Sequence, residues 1–283
     1  MTDKVSSRVY SYESQVERIQ KFNLMNNVFM SVVLNDVPAS EHVLRVLTAI
    51  PDLRIKEVHT QFRISSLTSH DTILDVLAED TDGTLYNIEI QRADTIDHSR
   101  RTRYYASMMD GMFLEKGQSY AEVPETYILY VSEKDLWDKG ETYYPVKKYL
   151  TPQDKTIPYD DGIHIVYINA EVDDGSEIAK LMNYFKTADP EDMSQGALSE
   201  RVQYLKRKGG MATMYDVAEE FREEGRVEGR IEGREEGREE GRVREREEII
   251  LRMLGKRKYS LDEIAELTNF SVADIERLQG FVG

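Results

Sequence analysis

At 283 residues, 40% hydrophobic and 32% charged, the chain has room for one full-sized domain plus a smaller appendage, or for two modest domains. It has no cysteine, which excludes disulfides and thiolate metal sites and makes a reducing cytoplasm the natural setting. A net charge of −16 weighs against a phosphate-rich partner, but it leaves local basic patches open, and a metal site is itself rich in carboxylates.

The opening MTDKVSSRVYSYESQ has no apolar core of a secretory signal. No run approaches the roughly 20 apolar residues that span a bilayer, so a soluble chain with no membrane partner is expected. Residues 1–22 form a polar lead-in. From Asn23 to Leu34 the positions Leu24, Val28, Phe29, Val32 and Val33 recur at helical spacing. A second helix is predicted over 40–49, with Ser40 as N-cap and Pro51 past its end. Strands follow at 55–64, 72–79 and 85–91, and Asp82-Gly83 marks a hairpin turn between the last two. A helix over 97–114 carries Tyr104, Tyr105 and Met108. Strands at 126–132 and 163–169 and helices over about 176–186 and 197–208 complete the series. Helices and strands in this order predict an α/β domain over 23–210 with a mixed central sheet flanked by helices.

Gly225, Gly229, Gly233, Gly237 and Gly241 then recur every fourth residue in a Gly-Arg-Glu tract. Each glycine inside a helix costs about 0.8–1.0 kcal/mol relative to alanine. Residues 211–246 are therefore either a linker or a helix whose glycine stripe admits a close neighbour. In 247–283, Ser260 with Glu263 and Ser271 with Asp274 form capping boxes, ahead of short helices at about 261–268 and 272–279. This is a helix-turn-helix-like element forming a helical C-terminal extension. It is also a route to homo-oligomers.

The hairpin concentrates the chemistry. With a three- or five-residue loop centred on Asp82, facing residue numbers sum to 164, and Asp75 falls opposite Glu89. Leu74, Val76, Ala78, Tyr86, Ile88 and Ile90 share an apolar face, while Asp75, Asn87, Glu89 and Gln91 share the other. Spacing alone leaves two readings. One is an ordinary hairpin with a solvated polar side; the other is a carboxylate pair that must be protonated or bridged by a cation.

The run ILDVLAEDTDGTLYNIEIQRAD resembles the active-site hairpin of the PD-(D/E)XK nuclease family transposases, which are related to the recombination-promoting nucleases. Arg101, Arg103, Tyr104 and Tyr105 match the helix that follows it, and the likeness extends from about Asn23 to Tyr204. Members also end in Glu-Gly-Arg repeats followed by a segment like SLDEIAELTNFSVADIERL. The resemblance implies a restriction-endonuclease-like core and a metal-dependent DNA endonuclease of mobile elements or recombination. It implies that Asp75 and Glu89, with the carbonyl of Ile90, bind Mg²⁺, with Mn²⁺ or Ca²⁺ as substitutes. Gln91 stands where the wider superfamily has lysine; it can orient a water or phosphate but brings no charge, a role Arg101 or Arg103 can fill. The alternative is a catalytically silent nucleic-acid-binding or assembly protein that keeps the fold.

Other positions carry weaker signals. Asp36 and Glu41 are optional third ligands but read better as solvated helix-end carboxylates. His59, His70, His98 and His164 have no metal-ligand spacing. Lys206-Arg207-Lys208 and Lys256-Arg257-Lys258 are the local basic runs suited to phosphate contacts.

Overall fold

The computed structural model describes residues 19–64, 72–92, 97–114, 117–153, 155–207, 210, 213–214, 249–255, 258–268, 270–272, 274–275 and 277. The chain forms two compact units, Met1–Ala218 and Glu219–Gly283. The glycine-striped tract lies outside the described residues, as do His70, Lys208, Lys256 and Arg257.

Among the described residues of the first unit, helices α1 (Asn27–Leu34) and α2 (Val37–Thr48) precede the sheet. Asn26 caps α1 by accepting the Phe29 N–H at 3.1 Å. Asp36, not Ser40, caps α2: its Oδ1 accepts the Ala39 N–H at 3.1 Å, so the helix starts three residues earlier than the spacing predicts. Pro38 suits the first turn, where its missing N–H leaves nothing unpaired. Ser40 instead turns its hydroxyl inward and donates to the carbonyl of Leu34.

Strands β1 (Ile55–Ile64), β2 (Thr72–Asp80) and β3 (Leu85–Gln91) follow as an antiparallel run. Helix α3 (His98–Phe113) then crosses over to β4 (Thr126–Ser132), which runs parallel to β3. After β4 come the short strands β5 (Tyr143–Pro145), β6 (Tyr149–Leu150) and β7 (Ile157–Pro158). β8 (Ile163–Asn169) lies parallel to β4, and the six-stranded sheet has the order β1-β2-β3-β4-β8-β5. The mixed sheet matches the expected class. β6 and β7 pair apart from it, and they and β5 escape the sequence pattern because two or three residues show no period.

Helices α4 (Glu177–Thr187) and α5 (Ala197–Lys206) close the unit, packing on α1 and α2, which in turn pack on β1 and β2. α3 lies on the sheet, where Tyr105, Ala106 and Met109 meet Leu77, Leu85 and Ile128. Thr102 and Tyr167 pair their hydroxyls beneath it at 3.0 Å.

In the second unit, α6 (Leu261–Thr268) begins at the Ser260–Glu263 box, and Ser271 accepts the Asp274 N–H in the next one. Ile250, Ile264 and Ile275 form its buried cluster. Among the described residues, no helix is long and apolar enough to cross a membrane.

Candidate metal centre

The hairpin turn sets everything that follows. Thr81, Asp82 and Gly83 form a three-residue loop, with Asp80 N–H bonded to Thr84 O at 3.0 Å and Gly83 N–H to Asp80 O at 3.2 Å. Gly83 sits at φ +85°, the left-handed residue that such a loop needs. Asp80 Oδ1 stiffens the turn by accepting the N–H groups of Asp82 and Thr84, both at 2.9 Å. The β2–β3 ladder then pairs Val76 with Ile88, Leu77 with Asn87, Ala78 with Tyr86 and Glu79 with Leu85. That is the predicted register.

The ladder stops one pair short of the carboxylates, and their side chains take over from the backbone. Asp75 N–H donates to Glu89 Oε1 at 3.3 Å, and Ile90 N–H donates to Asp75 Oδ2 at 2.9 Å. Each carboxylate thus satisfies a main-chain donor on the opposite strand.

The polar face is not solvated. Glu89 is 1% exposed, Asp75 8% and Asn87 0%, because α3 covers this side of the sheet. Of the two readings left open by spacing, the wet-faced hairpin is excluded. Burial raises the pKa of Glu89, with the Asp75 charge adding to it, and its carboxyl is pushed up to about 8. Burial also pushes Asp75 up, opposed by the Ile90 N–H, by Gln61 and by the Arg101 charge.

Arg101 reaches the same site from the first turn of α3. It donates through Nη2 to the Tyr105 hydroxyl at 2.8 Å and through Nη1 to Gln91 Oε1 at 3.4 Å. A groove of about 600 Å³ beside it is lined by Arg100, Arg101, Arg103 and Tyr104, among others. Arg103 is exposed. This is a local basic surface on a strongly acidic chain.

The donor set suits a hard divalent cation. Buried carboxylate oxygens held next to one another are the ligands Mg²⁺ takes, one or two per site, with water and substrate phosphate completing the shell. Among the described residues, no cluster of three or more histidine or acidic side chains is suited to a metal. Asp36 is committed to its cap. Glu41 pairs with Arg45 and Arg54 and accepts the Ile55 N–H at 2.9 Å, so both acids are engaged in local contacts of their own. His59 lies near Glu57, His164 pairs with Glu125 at 2.6 Å, and His98 packs edge-on against Trp137 and Tyr167.

The basic runs divide. Lys206 does not face solvent: it is 2% exposed, lies 5.3 Å over the Phe29 ring, and donates to the carbonyls of Ala188 at 2.7 Å and Gln20 at 3.2 Å. Its ammonium is satisfied inside the fold and is not a phosphate contact. Arg207 and Lys258 are exposed.

Two polar residues at the site carry no sequence signal for their roles. Gln61 Nε2 sits 3.3 Å from Asp75 Oδ1, yet in sequence it is one polar residue among several in β1. Asn87 is wholly buried; its amide makes no hydrogen bond of good geometry among the described residues, but it lies near Glu89 and favours the charged form of that carboxylate.

A family model described as PD-(D/E)XK nuclease family transposase matches residues 41–230. Neither curated proteins nor solved structures yield a match to the chain.

Proposed function

The chain belongs to the PD-(D/E)XK nuclease family transposases, and on that premise we propose that it is a divalent-metal-dependent DNA endonuclease acting in mobile-element transfer or recombination. The observation that carries this reading is the buried Asp75–Glu89 pair, clasped across the open end of the β2–β3 ladder.

Asp75 and Glu89 would hold the cation, with Mg²⁺ the best fit and Mn²⁺ or Ca²⁺ as alternatives, and the Ile90 carbonyl as a further donor. The ion would supply Lewis acidity at the scissile phosphate and a more acidic water. The protein's own groups do the rest. Gln91 accepts from Arg101 through Oε1, which leaves its amide N–H groups to orient a water or a phosphate oxygen. Arg101 brings the positive charge that glutamine lacks and would offset the negative charge that develops on the phosphoryl oxygens. Arg100 and Arg103 extend that charge along the groove, where they would bind the DNA backbone without reading sequence. Arg207 and Lys258 offer further exposed contacts.

The test is nicking of supercoiled plasmid with Mg²⁺, Mn²⁺ or Ca²⁺. Cleavage should require an added ion and vanish in both Asp75→Ala and Glu89→Ala. Undiminished cutting by either variant would remove that residue from the site.

A further inference from the structure

We propose that Gln61 is a positioning residue that orients Asp75 for the cation, an inference that rests on the metal reading of the Asp75–Glu89 pair. β1 pairs with β2 on either side of it, Thr60 with Val76 and Phe62 with Leu74. Between those pairs Gln61 takes φ +52°, the left-handed region, which glycine or asparagine enters far more readily than glutamine. Strain of this kind inside a strand persists only where the surroundings impose it, and it gathers at functional sites.

The side chain shows what the strain accompanies. Gln61 Nε2 lies 3.3 Å from Asp75 Oδ1 and 3.3 Å from Ser31 Oγ. Ser31 is buried in α1, and its hydroxyl proton goes to the carbonyl of Asn27 at 2.6 Å, so its oxygen can only accept from Gln61. The relay therefore has a fixed direction. Asn27 O is bonded by Ser31 O–H, Ser31 Oγ by one amide proton of Gln61, and Asp75 Oδ1 by the other. With Ile90 N–H on Oδ2, both oxygens of Asp75 are pinned, one from α1 through Gln61 and one from β3.

An amide suits this place for an electrostatic reason. A lysine or arginine here would orient Asp75 equally well, but would neutralise it and compete with the cation. A neutral donor fixes the geometry and leaves the charge available for the ion, the usual arrangement around a ligating carboxylate.

The experiment measures Mn²⁺ binding to the full chain by electron paramagnetic resonance, beside Tm in EDTA. Gln61→Gly should weaken Mn²⁺ binding about 10–100-fold while leaving Tm unmoved or higher, because glycine accepts the backbone freely. Gln61→Asn should behave alike, since asparagine tolerates the same backbone but its amide is one methylene short. If Asp75→Asn abolishes Mn²⁺ binding while both Gln61 variants bind as wild type does, the role of Gln61 is overturned and the metal pair stands. Affinity and Tm falling together in both variants would mark Gln61 as merely structural, also overturning it. Absence of Mn²⁺ binding in wild type, or full binding in Asp75→Asn, would overturn the metal reading and this inference with it.

Discussion

Asp75 and Glu89 exchange backbone support across two strands: the Asp75 N–H rests on Glu89 Oε1, and the Asp75 carboxylate receives the N–H of Ile90, the residue after Glu89. The clasp explains how two acids tolerate burial without a lysine beside them. It also makes the pair sensitive to protons.

That sensitivity gives a pH prediction for the metal-free protein. The folded value for Glu89 is about 8, above the ordinary 4.5, so between those limits the native state holds a proton that the unfolded chain has lost. The unfolded state binds fewer protons there, and stability must fall as pH rises through that window, then level off above it. Asp75, also raised, acts in the same direction. Tm in EDTA should decline from pH 5 to 8, and added Mg²⁺ should restore more stability at the alkaline end, where it replaces the proton. A pH-independent Tm that Glu89→Gln leaves unaltered would contradict this.

Arg101 and Gln91 form the second testable unit, bonded at 3.4 Å. Removing one donor aimed at developing charge lowers kcat by about 10²–10³, and Arg101→Ala should do so with little change in KM. Gln91→Lys alone places two cations side by side and should not raise activity. The double exchange, Gln91→Lys with Arg101→Gln, returns a single charge to the site and should recover part of the loss. A rate for Gln91→Lys above that of wild type would show that Arg101 does not fill lysine's place.

The hairpin was legible in the sequence because its cues are local. Period-two alternation, with a three-residue loop centred on Asp82, predicts the register that the ladder adopts, whereas a two-residue Asp82-Gly83 loop would have shifted it. Burial of its polar face was not legible, since it depends on where α3 returns over the sheet. Lys206 shows the same limit: beside Arg207 and Lys208 it reads as a basic surface run. Only the packing of α5 near Phe29 and Ala188 reveals it as an interior ammonium. The left-handed turn of the backbone at Gln61 leaves no mark in composition or spacing.

Lys206 consequently separates two effects that a basic run would combine. Its ammonium makes charge-assisted bonds to Ala188 O and Gln20 O, each of a kind worth about 1.5–3 kcal/mol. Lys206→Met should lower stability by about 2–3 kcal/mol, since the carbonyls lose their donor while the apolar stem is kept. DNA affinity of the folded fraction, and its slope against salt, should stay at the wild-type value. Arg103→Ala should do the reverse, reducing the salt slope by about one while Tm holds. A reduced salt slope in Lys206→Met would return this residue to the nucleic-acid surface.

Asn87 allows the sharpest division of stability from function. Its amide is buried against Leu77 and Ile128, its neighbours in the β2 and β4 registers, and makes no hydrogen bond of good geometry among the described residues, although it lies near enough to Glu89 to favour that carboxylate's charged form. An unsatisfied buried polar group costs about 1–3 kcal/mol, and an apolar side chain of the same shape removes that cost. Leucine is close in size, so Asn87→Leu should raise the chemical-denaturation midpoint, measured in EDTA with an unchanged m-value. The same substitution removes the Asn87 amide, which favours the charged form of Glu89, and so should make that carboxylate still harder to ionise. Cleavage should then need a higher pH or more metal than wild type. A lower midpoint would show that the interaction of the Asn87 amide with Glu89 outweighs the cost of burying it.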